Sequence, residues 1–193
     1  MTQQTPFVEI ACQQVLVDDA SVFSIQWSIF PAATIVGVSP ENLLERYLTH
    51  IKVCTLSIIR PLILKTGIEF RLLDTNWSLI SFLPPQIDTN SVTLNICGGL
   101  LVQPRQCNRG EFRLSLETVP GGVCVSLRLS EFCPLLLGSA RPSRIQFWLY
   151  RLTQAAIHRL ITVRFLALLY RELAVSLVAV RVVNISVRDG QPV

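Results

Sequence analysis

The chain of 193 residues is poor in charge. Only 16% of its residues are charged, half are hydrophobic, and the mean hydropathy is +0.47. Disordered chains need low hydrophobicity and high net charge, and collagen-like chains need an excess of glycine and proline, so this composition excludes both classes. The length suits a single domain with one hydrophobic core.

Clustered basic charge is also lacking. The 17 basic and 13 acidic residues give a net charge of +4, and only Lys52 and Lys65 are lysines. The arginines are scattered from Arg46 to Arg188 with no run of three. Nucleic-acid-binding proteins usually concentrate basic residues on one stripe, so we expect no nucleic-acid partner.

Residues that carry chemistry are scarce. None of the six cysteines forms a C-x-x-C pair, and His50 and His158 are the only histidines. Nucleophile-elbow, Walker, dinucleotide-binding and zinc-protease motifs are absent. We therefore predict no catalytic residue, no metal site and no cofactor. Cys97 and Cys107 flank a predicted hairpin and could pair under oxidation. The N-terminus lacks a signal-peptide pattern, so reduced thiols and a cytoplasmic location are expected.

One uncharged window, residues 20–40, is long enough to span a bilayer. Within it, apolar and polar residues alternate: Phe23, Ile25, Trp27 and Ile29 against Ser24, Gln26 and Ser28. A period of two indicates a half-buried strand over Val22–Phe30 and argues against a spanning helix. We expect a protein that does not cross the membrane, with peripheral contact left open.

A short amphipathic helix follows at about residues 40–51, with Ser39 as its cap and Pro40 in its first turn. The period of two then returns and predicts about six antiparallel strands. In the clearest pair, residues 112–117 and 123–129 alternate around Pro120-Gly121-Gly122. One face of this sheet is apolar and the other polar, which is typical of a sheet covered on one side.

The last large element is a helix from about Ser143 to Leu173. With residues placed at about 100° each, an apolar arc forms that we expect to face the sheet. Its members are Ile145, Trp148, Leu149, Leu152, Ala156, Leu160, Val163, Ala167 and Tyr170. His158 falls outside the arc, in line with Arg151 and Arg144. That line is read as a solvated face, with contact to anionic lipid as the alternative. Residues 178–187 predict a final strand.

The fold class that follows is α+β: an antiparallel meander of about seven strands gripping a long C-terminal helix. It resembles, in topology only, the helix-grip fold of the START-like superfamily of polyketide cyclases and lipid-transfer proteins. The resemblance covers about residues 20–173 and implies a cavity for an apolar ligand between sheet and helix. We divide the chain into an N-terminal arm (1–19), the helix-grip domain (20–174) and a C-terminal strand and tail (175–193).

Arg159 is the most informative candidate, because it stands among apolar helix positions. A buried guanidinium needs a partner or a ligand anion, although arginine often extends its tip to water instead. Trp27, Trp77 and Trp148 could line a cavity or simply fill the core. The predicted ligand-binding set is Arg159, Trp148, Leu152, Trp27, Trp77 and Phe112.

Three functions stay open. The first is non-enzymatic binding or transport of a hydrophobic small molecule or lipid. The second is an enzyme of the cyclase or aromatase type that works in the same pocket. The third is an assembly protein without a pocket, whose apolar residues form an interface.

Overall fold

The computed structural model describes residues 7–104, 108–138, 143–174 and 179–193. The helices are α1 (Pro40–Cys54), α2 (Arg144–Tyr150) and α3 (Ala156–Ala174), with a π-helical turn (Arg151–Ala155) joining α2 to α3. The strands are β1 (Phe7–Leu16), β2 (Val22–Phe30), β3 (Ile59–Leu64), β4 (Gly67–Leu72), β5 (Ser78–Phe82), β6 (Gln86–Asp88), β7 (Ser91–Gly98), β8 (Glu111–Val119), β9 (Gly122–Phe132), β10 (Ala179–Asn184) and β11 (Gln191–Pro192).

The strands form a sheet in the order β10-β1-β2-β9-β8-β7-β5-β4-β3, with β11 beside β1 and β6 beside β7. Every pairing is antiparallel except that of β1 with β10. In the C-terminal helix, which runs from α2 to α3, the α3 part packs against β1 and β2. The predicted α+β helix-grip class is confirmed, with eleven strands in the described residues instead of about seven.

The segment predicted as an N-terminal arm contains β1, which lies between β2 and β10. Ile10 and Cys12 of this strand belong to the hydrophobic core. The predicted final strand is present as β10, whose residues Ala179–Asn184 pair with residues 7–12 of β1. The two ends of the chain therefore complete the sheet together.

Helix α1 begins as its sequence predicts. The Ser39 hydroxyl accepts a hydrogen bond from the backbone N–H of Asn42 at 3.2 Å, and Pro40 occupies the first turn. Two contacts tie α1 to α3: the His50 Nε2 donates to the Ile161 carbonyl at 3.2 Å, and Arg46 pairs with Glu172 at 2.9 Å.

Strand β2 forms where the alternation predicts it. In its central part, however, the polar side chains face the core and the apolar side chains face outward. Ser24 and Gln26 are fully buried, whereas Ile25 and Trp27 are half-buried on the opposite face. The polar side chains partly satisfy each other, because the Gln26 Nε2 donates to the Ser24 Oγ at 2.8 Å. A period of two identifies two faces without saying which one the helix covers.

The C-terminal helix also forms as predicted, and a capping box at Ser143 and Gln146 starts it. The face predicted to contact the sheet is correct only in part: Val163, Ala167 and Tyr170 pack against the core, whereas the other six members of the predicted arc are exposed. Leu152 and Trp148 are exposed, whereas His158, placed by the sequence on the solvated side, contacts the core residue Phe112. The π turn supplies part of the reason. It adds about one residue to a turn, so later residues are rotated by about 100° relative to an uninterrupted α-helix.

The two faces of the C-terminal helix can now be assigned. The inward face holds Tyr150, Ala155, Ile161, Thr162, Phe165, Leu166 and Leu169, all buried. The outward face carries large apolar residues that are 42–74% exposed: Ile145, Trp148, Leu149, Leu152, Ile157, Leu160 and Leu168. The helix is apolar on both sides, so its hydrophobic pattern alone cannot determine its orientation.

Two leucine-to-alanine variants test this assignment. Leu166 is fully buried and Leu152 is 68% exposed. Leu166→Ala should lower the free energy of unfolding by about 2–5 kcal/mol because it leaves a cavity. Leu152→Ala should change it by less than about 0.5 kcal/mol. Urea unfolding followed by circular dichroism measures both values. A larger loss of stability in Leu152→Ala than in Leu166→Ala would contradict this assignment and support the face predicted from the sequence.

Candidate functional site

The structure separates the six predicted ligand-binding residues. Phe112 is buried in the core, where its ring stacks on Tyr47 with centroids 5.2 Å apart. The His158 ring meets the Phe112 ring edge-on at 6.2 Å, and Phe165 packs on Tyr47 at 5.1 Å. Around Phe112, the space between sheet and helix is therefore filled by side chains.

Three further candidates lie away from the helix–sheet interface. Trp77 is 63% exposed, just before β5. Trp27 is on the outer face of β2, and Leu152 points outward from the π turn. Arg159 and Trp148 are the two candidates that the fold brings to adjoining grooves along one side of the C-terminal helix.

The first groove, here called the arginine groove, lies at the edge of β1 between the end of β10 and the start of β11. It has a volume of about 360 Å³. Arg151, Arg159 and Arg188 line it together with the polar residues Gln14 and Asn184. The remaining lining residues are Cys12, Gln13, Val15, Ile185, Ser186, Gly190, Pro192 and Val193.

None of these three arginines forms an ion pair with a carboxylate in the part of the chain that the structure describes. The Arg159 Nη2 donates to the side-chain oxygen of Asn184 at 2.7 Å, which fixes the guanidinium at the groove wall. Arg151 lies over the Trp148 ring at 5.2 Å. Arg188 lies over the outer-face ring of Phe23 at the same distance. Three arginines with no carboxylate in ion-pair contact among the described residues favour an anionic ligand.

The second groove, here called the aromatic groove, adjoins the first. Both include Arg151, and both reach the β11 strand, through Gln191 in one and Pro192 in the other. The aromatic groove has a volume of about 590 Å³ and is lined by Leu16, Val17, Asp18, Ala20, Arg144, Phe147, Trp148, Arg151 and Gln191. Both volumes fall in the range of small-molecule sites.

The π turn positions Arg151 at this junction. It contains Arg151, and it is tied to the sheet because the Gln14 Nε2 of β1 donates to the Ala155 carbonyl at 3.2 Å. π turns occur frequently at functional sites, where they redirect side chains. The turn has no signal in the sequence, because the five residues Arg151–Ala155 include no glycine or proline that would indicate an irregularity.

Cys12 lies on the floor of the arginine groove. Burial raises the pKa of its thiol, and the neighbouring Arg159 guanidinium opposes that shift. The thiol therefore stays protonated near neutral pH and does not supply a thiolate nucleophile.

The interior of the fold contains buried polar atoms that lack a hydrogen-bond partner among the described residues. They include Gln26 Oε1, Gln154 Oε1 and His158 Nε2. Burial also lowers the pKa of His158 to about 4. The sequence signal for this lining is the polar set Ser24, Gln26 and Ser28, which alternates with the apolar side of β2.

The described residues contain no group of three or more histidine, cysteine, aspartate or glutamate side chains that could hold a metal ion. Cys107 lies outside the described residues, so its pairing with Cys97 stays a prediction.

Comparison with known proteins gives little to add. No protein-family model and no curated protein matches the chain. Two solved structures of CalU16 from Micromonospora echinospora are similar. The solution NMR structure has 12% identity over 88% of this chain and 76% of the other, with a TM-score of 0.38. The crystal structure has 13% identity over 87% of this chain and 96% of the other, with a TM-score of 0.31. A likeness this weak says nothing about ligand or activity.

The buried histidines predict how stability depends on pH. The pKa of His158 is about 4 in the folded chain against 6.5 for an ordinary histidine, because burial disfavours the charged ring. The unfolded chain then binds more protons between these values, so stability is complete above pH 6.5 and falls as the pH drops toward 4. The slope should reach about 1.4 kcal/mol per pH unit for this residue.

His50 is the natural comparison, because burial lowers its pKa as well. Urea unfolding at pH 7.0, 6.0, 5.0 and 4.5 should show that His158→Gln flattens the profile. His50→Gln should flatten it too, and the double variant should be flattest. Asp19, whose pKa is lowered to about 2 by hydrogen bonds from Ser21 and Arg109, acts only at lower pH. A His158→Gln profile as steep as that of the parent chain would contradict burial of a neutral ring.

Proposed function

We propose that the protein binds, without chemical turnover, an amphipathic anion: a hydrophobic small molecule or lipid with a carboxylate or phosphate head group. The observation that carries this proposal is the set Arg151, Arg159 and Arg188, three arginines without a carboxylate partner among the described residues, beside a groove lined by Phe147 and Trp148. Ligand sites combine apolar walls with convergent polar groups, and the joined grooves offer both, with more polar than apolar surface.

The head group belongs in the arginine groove. Arg159 is held by Asn184, so its guanidinium needs little further ordering when an anion arrives. A guanidinium offers two parallel N–H donors to a carboxylate or phosphate, which adds geometric specificity. Arg151 borders both grooves and can contact the anion from its other side.

The apolar part of the ligand belongs in the aromatic groove. Phe147 and Trp148 form one wall, and Leu16 and Ala20 contribute apolar surface from the end of β1 and the turn before β2. This location differs from the interior cavity implied by the family resemblance. It places the ligand along one side of the C-terminal helix, where groups from β1, the π turn and the tail after β10 converge.

A fluorescent fatty acid tests the proposal. Dansyl-labelled undecanoic acid should bind with a rise and blue shift of its emission. Arg159→Gln should weaken binding by roughly tenfold or more, because one charge-assisted contact is lost. Arg171→Gln is the matched control, since Arg171 is an exposed arginine in the last turn of the same helix and lines neither groove. Its affinity should equal that of the parent chain.

A second probe distinguishes recognition of the head group from non-specific hydrophobic binding. The corresponding dansyl-labelled alcohol has the same chain and no negative charge, so its weaker binding should not respond to Arg159→Gln. Equal affinity for acid and alcohol, or equal loss in Arg159→Gln and Arg171→Gln, would refute the assignment of the arginine groove.

A further inference from the structure

The outward face of the C-terminal helix is the strongest unexplained feature of the surface. A row of apolar side chains runs along this face from α2 through the π turn to the start of α3. Its members, here called the apolar stripe, are Ile145, Trp148, Leu149, Leu152, Ile157 and Leu160. Each of these side chains is 47–74% exposed. Isolated exposed apolar residues are normal, but a row along one helix marks an interaction surface.

We propose that the apolar stripe docks this protein on the surface of a bilayer that contains anionic lipid. The inference goes beyond the proposed ligand binding, because five of the six members of the stripe line neither groove. Trp148 is the member that the stripe shares with the aromatic groove.

The charge beside the stripe identifies the partner. Arg144 and Arg151 are exposed in its first half, and Arg164 and Arg171 are exposed farther along the same helix. No acidic residue occurs between Ser143 and Glu172. An apolar face bordered by arginines, with tryptophan among its residues, is the composition of helices that lie in the interface of anionic membranes.

A second copy of this chain fits the stripe less well. A two-fold dimer would bring the same patch of each copy together, so Arg144 and Arg151 would face their own equivalents without a carboxylate on that stretch of helix. Like charges brought together at an interface oppose association, whereas the phosphates of anionic lipids neutralise the same arginines.

The geometry favours docking in the membrane plane. By length and hydropathy alone, Arg144–Ala174 could cross a bilayer, and 33% of its most apolar stretch is buried in the fold. That buried side holds Phe165, Leu166 and Leu169 against the core. Spanning would strip this side from the sheet, whereas lying flat uses only the side that the fold leaves uncovered.

Vesicle co-sedimentation of the full chain tests the proposal. Vesicles of phosphatidylcholine with about 30% phosphatidylglycerol should sediment the protein, and phosphatidylcholine alone should bind far less. Raising the salt from 0.1 M to 1 M shortens the screening length from about 10 Å to about 3 Å and should release most of the protein. The double variant Leu149→Ser/Leu152→Ser should lower partitioning by roughly tenfold or more, because both side chains lose their apolar contact.

Ile63→Ser is the matched control, since Ile63 is 69% exposed on β3, away from the C-terminal helix. Its partitioning should equal that of the parent chain. Binding that is independent of phosphatidylglycerol, or equal loss in the double variant and in Ile63→Ser, would overturn the proposal. So would a concentration-dependent dimer in analytical ultracentrifugation that Leu149→Ser/Leu152→Ser abolishes, because the stripe would then be a self-association surface.

Quenching by lipids with brominated acyl chains locates the contact. Among the three tryptophans, Trp148 belongs to the stripe, whereas Trp27 and Trp77 lie elsewhere. Quenching should disappear in Trp148→Phe and persist in Trp77→Phe, and the opposite result would place the membrane contact outside the stripe. Failure of dansyl-labelled undecanoic acid to bind in solution would refute the proposed ligand and leave these vesicle results unaffected.

Discussion

The arrangement of this molecule depends on one irregular turn of the C-terminal helix. The π turn at Arg151–Ala155 is anchored to β1 by the hydrogen bond from Gln14 to the Ala155 carbonyl. It shifts the phase of the helix between α2 and α3, and so decides which residues face the sheet. His158 and Phe165 turn inward, whereas Leu152 and Leu160 turn outward. The same turn brings Arg151 to the junction of the two grooves. Core packing, the candidate ligand site and the exposed stripe all follow from this one local geometry.

Sequence periodicity predicted the elements well and their orientation poorly, for a physical reason. A strand such as β2 has two faces, and its alternation is equally clear whichever face the helix covers. The C-terminal helix is apolar nearly all round, so a hydrophobic arc could be drawn on the wrong side. Arg159 was selected because it stands among apolar helix positions, and the structure places it in the arginine groove with its guanidinium hydrogen-bonded to Asn184. Arg151, Arg188 and the tail after β10 were missed because their convergence depends on long-range pairing of the two chain ends.

The inner face of β1 and β2 carries polar side chains where it meets the C-terminal helix. Gln14, Ser24 and Gln26 face the helix, where an apolar sheet would present leucine or valine. Ser24 and Gln26 bond to each other, and Gln14 bonds to the helix backbone, so part of the desolvation cost is offset. The oxygen of Gln26 and the Nε2 of His158 remain without partners in the described parts of the chain. Buried polar atoms of this kind usually mark ordered water or function.

The grooves themselves arise from how the sheet edge ends. Strand β10 covers β1 from Phe7 to Cys12, and β11 covers it again at Val15 and Leu16. Between them, the Gln13 side chain donates to the Arg188 carbonyl, and the Gln14 carbonyl accepts from the Val193 backbone N–H. A strand edge with unpaired backbone groups can pair with another chain, and a short gap bordered by arginines makes such pairing less favourable. The same gap leaves room for a small anion. The gap in strand pairing at Gln13 and Gln14 and the π turn at Arg151 therefore border the same groove, which Arg159 also lines.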